Sequence, residues 1–192
     1  MTEYPNYSSQ KHKKLVTIEP LTEEDIDALI DLKHASWVDT YPNPELGITV
    51  AMIENYLNKT SREAKIKKQK LLLEDKINKR HILRVDRELA GVIGFKLKDQ
   101  NIGQISEIYL HPDFIGKGGY GSKLMNFAIA ELQKLGATSI FVEVAEYNLR
   151  AINFYKKFNF EFTTKIPKAT DRGDFIIPKI RMDLRFKSIQ AI

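Results

Sequence analysis

Three strand-like segments follow one another in the middle of the chain, and only short polar links separate them. The segments are RHILRV, AGVIGFKL and IGQISEIYL, and the links are DREL and KDQN. Links this short are typical of hairpin turns, whereas parallel strands need crossover connections of about a dozen residues or more. The segments therefore predict antiparallel neighbours and argue against a fold in which a helix follows every strand.

A glycine-rich loop, GKGGYGSK, follows the third strand and enters a predicted helix. Such loops commonly bind phosphate groups, because glycine lets the backbone approach closely and a helix N-terminus offers free amides. The letters from Gly116 to Gly121 match the dinucleotide pattern G-x-G-x-x-G, but HPDFI separates the loop from its strand and hairpins precede it. A nucleoside triphosphate loop is disfavoured, because Ser122 and Lys123 stand in reversed order. A loop for the pyrophosphate of an acyl-coenzyme A is the third interpretation.

The remaining periodicities predict one strand and helices before these segments, and alternating elements after the loop. LVTIEPL alternates like a strand, and helices are expected from about residue 26 to TYPNPELG, over 49–59 and over 61–78. After the loop we expect a helix that stops at Gly136, the strand TSIFVEV, the helix NLRAINFYKKF and two closing strands. This order predicts a mixed α/β fold of the α+β kind. A single domain is expected over residues 15–192, with a flexible tail at 1–14.

Composition excludes several kinds of chemistry. The 192 residues include no cysteine, which rules out disulfides, thiolate catalysis and cysteine-ligated zinc, and the four histidines lack metal-ligand spacing, so no metal site is predicted. No apolar run approaches about 18 residues and the start does not resemble a signal peptide, so we expect a cytoplasmic protein without membrane contact. The formal charge of +5 is dispersed, and KIKKQK is interpreted as a solvated helix face rather than a nucleic-acid site.

Two separated stretches resemble the GNAT superfamily of acetyltransferases. EIYLHPDFIGKGGYGSKLM is similar to the superfamily's strand, proline-containing link and Q/R-x-x-G-x-G/A loop, and NLRAINFYKKFNF is similar to N-x-x-A-x-x-F-Y-x-K-x-G-F. The resemblance covers about residues 15–186 and is most specific over 104–160. It implies a mostly antiparallel central sheet flanked by helices, in which two parallel strands splay apart near Leu110 and Val144 to admit the cofactor, acetyl-coenzyme A.

The resemblance also implies which residues bind the cofactor. Backbone groups of Tyr109, Leu110 and His111 would pair with the pantetheine arm like an added strand. Asn148 would contact the arm or cap its helix, and Lys157 would contact the phosphates. The pyrophosphate would be held by the loop residues Gly116, Lys117, Gly118, Gly119, Tyr120, Gly121, Ser122 and Lys123. The loop is one residue longer than usual and does not begin with glutamine or arginine, so the choice among its amides stays open.

Two residues are candidates for the chemistry. Tyr155 matches the tyrosine of the F-Y pair, which in the superfamily often donates a proton to the leaving thiolate, and it is also an expected cofactor contact. Gln104 stands where histone-modifying members have a glutamate base, so Glu107 is proposed as the base, provided that a β-bulge restores it to the same strand face. Glu143 and Glu146 are rival bases. Holding the amine and the thioester in the right orientation would also accelerate the reaction without any base.

The expected reaction is transfer of an acetyl group to a primary amine by direct attack in a ternary complex. The acceptor is expected to be a polyamine-like small molecule that binds near Trp37, Asp39 and Tyr41, although Trp37 is favoured as a core residue. Acetylation of a protein N-terminus or lysine, a catalytically silent coenzyme A-binding module and a nucleic-acid-binding protein are the alternatives. Dimers are frequent in the superfamily, so a homodimer is compatible with the resemblance.

Overall fold

The computed structural model describes residues 14–186, except for the side chains of 167–170. Within that part of the chain, seven strands form one sheet in the order β1-β2-β3-β4-β5-β7-β6. The strands are β1 (Val16–Pro20), β2 (Lys79–Val85), β3 (Glu88–Lys98), β4 (Ile102–Leu110), β5 (Ser139–Ala145), β6 (Glu161–Asp171) and β7 (Ile176–Arg185). The α-helices are α1 (Ile26–Thr40), α2 (Val50–Asn58), α3 (Arg62–Leu73), α4 (Tyr120–Lys134) and α5 (Leu149–Lys156). The predicted tail lies outside the described residues except for Lys14, and the single domain at 15–192 stays a prediction.

All neighbouring strands of this sheet are antiparallel except β4 and β5. The three segments predicted to pair by hairpins are β2, β3 and β4. Asp86 and Arg87, in the link between β2 and β3, both have positive φ, as the tightest hairpin turns require. The predicted mixed and mostly antiparallel sheet is therefore confirmed.

The parallel strands β4 and β5 separate along their length. They pair only over Ile102–Ile105 and Ser139–Val142, although the strands continue to Leu110 and Ala145. A gap therefore opens at the carboxyl ends of the two parallel strands, which is where open α/β sheets bind ligands. The predicted splay is confirmed.

Helices cover both faces of the sheet, and alternate residues of β3 show how the core is divided. Ile93 points to the larger core, where it packs with the buried Leu124 and Met125 of α4. Val92 points to the opposite face, where it packs with Leu29 of α1. The splayed ends of β4 and β5 therefore lie between helices on both sides.

The third helix is shorter than the predicted range of 61–78, because α3 ends at Leu73. The Asp75 carboxylate accepts hydrogen bonds from the amides of Ile77 (2.9 Å) and Asn78 (3.3 Å). An aspartate that satisfies nearby amides in this way competes with helical hydrogen bonding, so the chain turns into β2 instead. None of the described helices combines the length and apolar character needed to cross a bilayer.

Candidate active site

The loop between β4 and α4 is shaped by glycines with left-handed backbone angles. Gly116, Gly118 and Gly119 have φ values of +73°, +57° and +64°, which residues with a side chain rarely adopt. A Cβ atom at Gly118 would also lie 2.7 Å from the hydroxyl oxygen of Tyr120 and closer still to its ring. Tyr120 is itself buried and packs edge to face on Phe114. The loop conformation is therefore fixed both by backbone angles and by packing.

Free amides cluster where this loop enters α4. The first bond of the helix runs from the Lys123 amide to the Gly119 carbonyl (3.0 Å). In the described part of the chain, the amides of Gly118, Gly121 and Ser122 donate to no backbone carbonyl. Unpaired amides at a helix N-terminus, with the positive end of the helix dipole behind them, form a binding site for an anion.

A cavity of about 560 Å³, which we call the first cavity, joins this loop to the gap between β4 and β5. Its walls come from the loop, the ends of both strands and α5. On the far side it reaches Ser36, Thr40 and Tyr41 at the end of α1. This volume lies within the usual range for cofactor and substrate sites.

Most of the predicted cofactor residues line the first cavity. They are Tyr109, Leu110, Gly116, Lys117, Gly119, Tyr120, Gly121, Ser122, Asn148, Tyr155 and Lys157. His111, Gly118 and Lys123 are not part of its wall. For Gly118 the structure supplies a different reason for glycine, namely the packing of Tyr120 beneath it.

The backbone of β4 alternates between β3 and the gap. His111 donates its amide to the Ala90 carbonyl (2.9 Å), so this pair is hydrogen-bonded across β3 and β4. By the antiparallel pattern, Tyr109 also points its backbone groups to β3. The groups that face the gap are those of Ile108 and Leu110. Of the three residues expected to pair with an added strand, Leu110 thus directs its backbone groups into the gap, whereas Tyr109 and His111 direct theirs to β3 and Ile108 faces the gap instead.

A β-bulge brings Glu107 to the wall of the first cavity. The register of β4 against β3 shifts between Ile105 and Glu107, which leaves Ser106 as the extra residue. Without the bulge, a separation of three would place Glu107 on the opposite face from Gln104, and with it the two share a face. A sequence signal for the bulge exists in β3, because a Cβ at Gly94 would lie 2.9 Å from both Ser106 and Glu107.

The Glu107 carboxylate is held by two cations. It pairs with the Lys33 ammonium and with the buried guanidinium of Arg80, the latter at 2.7 Å. Burial raises the pKa of Glu107, but Lys33 and Arg80 lower it by more, so the pKa lies below its ordinary value. A carboxylate stabilised in this way is a weak base, and the geometry does not favour the predicted role of Glu107 as the proton acceptor.

Tyr155 lies on α5 with its side chain in the wall of the first cavity. Its ring is buried and packs between Phe154 and Phe160. Burial raises the pKa of the Tyr155 phenol well above its ordinary value, so the hydroxyl keeps its proton at neutral pH. On the same helix, Asn148 accepts a hydrogen bond from the Ala151 amide (3.0 Å), and this confirms that it caps α5.

The three predicted acceptor residues are not gathered in one place. Tyr41 lines the first cavity, whereas Trp37 lines a separate cavity of about 280 Å³, which we call the second cavity. Asp39 lines neither and pairs with Arg150 at 2.7 Å. The Trp37 indole donates to the hydroxyl of Tyr109 (3.3 Å), so it serves both as packing and as a cavity wall. The second cavity was not predicted, because its wall combines residues from three helices and β4.

Together, the splayed parallel strands, the anion-binding loop and the connecting cavity define the arrangement expected of an acetyltransferase. The sequence model of the acetyltransferase (GNAT) family matches residues 34–160, which is more than half of the chain. The chain therefore belongs to the acetyltransferase (GNAT) family.

Relatives agree with this assignment. An uncharacterized N-acetyltransferase of Methanocaldococcus jannaschii is 37% identical over 65 residues, which are 34% of this chain and 28% of that relative. The chain thus matches only 28% of the length of this curated relative. The PaiA N-acetyltransferase of Thermoplasma acidophilum, solved in complex with coenzyme A, has a TM-score of 0.70 at 22% identity over 90% of this chain and 99% of that one. A spermidine N-acetyltransferase chimera of Vibrio cholerae SpeG and hSSAT has a TM-score of 0.67 at 16% identity over 88% and 94%. At these identities the two structures show a shared fold.

Proposed function

We propose that this chain transfers the acetyl group of acetyl-coenzyme A to a primary amine of a small molecule by direct attack in a ternary complex. The main support is that the first cavity is continuous from the glycine loop, through the gap between β4 and β5, to the end of α1. A cofactor in the gap and an acceptor beside α1 can therefore meet inside one cavity. The sequence contains no cysteine, which agrees with a route that has no thiol intermediate on the enzyme.

The residues of the first cavity fit acetyl-coenzyme A. The amides of Gly121 and Ser122 offer donors for a pyrophosphate, and Lys117 and Lys157 add positive charge in the same wall. The backbone of Leu110 faces the gap and can pair with an extended arm. When bound, acetyl-coenzyme A supplies a thioester whose carbonyl carbon an amine can attack.

The chain's own residues contribute orientation and a proton. The Tyr155 hydroxyl holds a proton at neutral pH and lines the first cavity. As the C–N bond forms and the C–S bond breaks, it can donate that proton to the leaving thiolate, while the protons that the amine loses pass to water, which also restores the proton of Tyr155. Glu107 is stabilised as an anion by its ion pairs, and Glu143, also in the wall, lies 3.8 Å from the Lys179 ammonium. Because both carboxylates are paired, the main contribution of the protein to the rate is the positioning of the reactants. Positioning can lower the activation barrier by about 7 to 11 kcal/mol.

The test is to incubate the protein with acetyl-coenzyme A and each of a panel of primary amines, and to measure the free thiol that is released. Coenzyme A affinity is measured separately. Tyr155→Phe should lower kcat by about 100-fold and leave coenzyme A affinity within about twofold. Tyr147→Phe is a matched control, because the Tyr147 hydroxyl donates to the Tyr41 carbonyl (3.1 Å) and lies outside the wall of the first cavity. This control should leave kcat unchanged.

A catalytically silent coenzyme A-binding module is the second candidate, and the ion pairs of Glu107 favour it, because they leave no strong base at the gap. The same assay separates the two. Tight coenzyme A binding with no thiol release from any amine above hydrolysis would establish the silent module and overturn the transferase.

A further inference from the structure

The second cavity, between α1, the end of α2 and α3, is lined by charge of one sign. Lys33, Lys59, Lys65 and Lys68 belong to its wall, and none of the described residues that line it is an aspartate or glutamate. Lys33 pairs with Glu107 and Lys59 pairs with Asp174 at 2.8 Å. Lys65 and Lys68 form no ion pair with any described carboxylate. The cavity therefore presents two lysines with which no described carboxylate pairs directly, although Lys65 also feels the charge of the more distant Asp31.

A cation that contacts the wall from outside, Arg172, adds to this positive field. The aromatic rings of Trp37 and Tyr56 lie on one side, with the Arg172 guanidinium 5.3 Å and 5.0 Å from their centroids. Burial is the main cause that lowers the pKa of Lys33, Glu107 opposes it, and Arg80 and to a smaller extent Lys68 lower this pKa further. Cations thus crowd this cavity, and an anion that entered it would relieve their repulsion.

A polycationic acceptor finds little to bind in either cavity. Glu107 and Glu143 are the carboxylates in the wall of the first cavity, and each lies beside a cation. Asp39, the acid among the three predicted acceptor residues, is paired with Arg150. The described side chains therefore disfavour the polyamine-like acceptor that the sequence suggested.

Tyr109 forms part of the partition between the two cavities. It lines both of them, and the Lys33 ammonium lies 5.5 Å from the centroid of its ring. We propose that the acceptor is a small amine bearing a carboxylate or phosphate, whose anionic group binds Lys65 and Lys68 while its amino group reaches the first cavity across Tyr109. This inference rests on the proposed transferase function and names the class of its acceptor. Lysine ammonium groups bind such oxyanions by charge-assisted hydrogen bonds.

Trp37 allows the subsite to be tested without turnover. It is the only tryptophan of the chain and lines the second cavity, so its emission reports on ligands that enter there. O-Phosphoethanolamine and β-alanine would be titrated separately, to distinguish phosphate from carboxylate. Ethanolamine serves as the control amine without an anionic group, and sodium chloride matches the ionic strength. We expect a saturable change with at least one anionic amine. A response no larger than that to ethanolamine and salt would overturn the subsite.

Variants in α3 locate the binding groups. Lys65→Gln combined with Lys68→Gln should raise the apparent Kd of the anionic amine by about tenfold. Lys67→Gln is the matched control, since Lys67 lies between them on the same helix, is exposed and does not line the cavity. It should change Kd by less than about twofold. Equal effects of the double variant and the control would also overturn the subsite.

Thiol release then connects the subsite to the reaction. In the double variant KM for the anionic amine should rise by about tenfold, with kcat and coenzyme A affinity unchanged. Absence of thiol release from every amine would overturn the transferase, while the Trp37 titration would still decide whether the subsite exists. Thiol release with the same KM for ethanolamine and the anionic amines would overturn the acceptor class alone.

Discussion

The two cavities adjoin each other at Tyr109, but different parts of the protein provide their polar groups. The first takes its proposed anion-binding end from backbone amides within the short loop Gly116–Ser122. The second takes its charge from lysine side chains on α1, α3 and the end of α2. Backbone amides are fixed by the chain's own dihedral angles, whereas exposed lysines are mobile and screened by salt. The first cavity therefore suits one defined ligand, and the second tolerates ligands of different shape.

The largest effect is expected at Glu107, because its carboxylate lines the first cavity and its partner Lys33 lines the second. Glu107→Ala leaves Lys33 and the buried Arg80 without their carboxylate, which should lower the free energy of unfolding by about 3 to 5 kcal/mol. Urea denaturation at pH 7 measures this. Glu23→Ala, which removes the exposed pair with Lys70, should cost no more than about 1 kcal/mol. Similar losses of unfolding free energy in the two variants would show that the ion pairs of Glu107, which lie between the cavities, stabilise the protein no more than an exposed pair does.

The same carboxylate should govern stability in acid. Burial raises the pKa of Glu107 but Lys33 and Arg80 lower it by more, so its folded pKa lies below the ordinary value of 4.5. The stability from these pairs is complete above about pH 4.5 and is lost as the pH falls through the folded pKa. Between pH 7 and 3, wild type should therefore lose more stability than Glu107→Gln. Parallel curves for the two proteins would contradict this.

The next largest effect is expected in the glycine loop, where two similar positions can be compared. Gly116→Ala should cost about 1 to 2 kcal/mol from left-handed backbone strain alone, since its Cβ would have open space. Gly118→Ala adds a collision with Tyr120, for a total of about 2 to 4 kcal/mol. Chemical denaturation gives both values, and coenzyme A affinity should fall more for Gly118→Ala. If both variants behave alike, packing under the loop has no part in its shape.

The smallest effect is expected at two helix caps, one beside each cavity. Asn148 caps α5 beside the first cavity, and Ser61 caps α3 beside the second. Either change to alanine should cost about 1 kcal/mol of stability. Asn148→Ala alone should weaken coenzyme A binding, as measured by calorimetric titration. A matching loss of affinity in Ser61→Ala would mean that the caps act through general stability.

The first cavity could largely be predicted from the sequence because its determinants are local. Gly116, Gly118 and Gly119 adopt the angles that favour glycine, and Asn159, which stands in place of the usual glycine, has the positive φ of +62° that asparagine tolerates. The hairpins that join β2, β3 and β4 could be predicted in the same way, from the short links between these strands. In each case the signal and the structure lie within a few residues of one another.

The second cavity could not be predicted, because its lysines meet only when separate helices pack. Lys33 stands far from Lys59 and Lys65 in the sequence, Lys59 and Lys65 lie on either side of the link between α2 and α3, and their charge is typical of solvated helix faces. The bulge at Ser106 depends likewise on β3, where Gly94 is the one hint. The length of α3 was overestimated because the side chain of Asp75 competes with helical hydrogen bonding.

The single extra residue in β4 also sets how the gene can change. Deletion of codon 106 would remove the bulge without shifting the reading frame, and Glu107 would then follow Ile105 in regular alternation, so every later side chain of the strand would keep its face. Deletion of codon 108, in the regular part of the strand, would instead turn Tyr109 into the apolar packing against α4 and direct Leu110 at Lys33 and Trp37. The same three-nucleotide loss is thus compatible with the wall of the cavities at codon 106 and disrupts it at codon 108, whereas substitutions at codons 65 and 68 alter the charge of the second cavity and leave the strand intact.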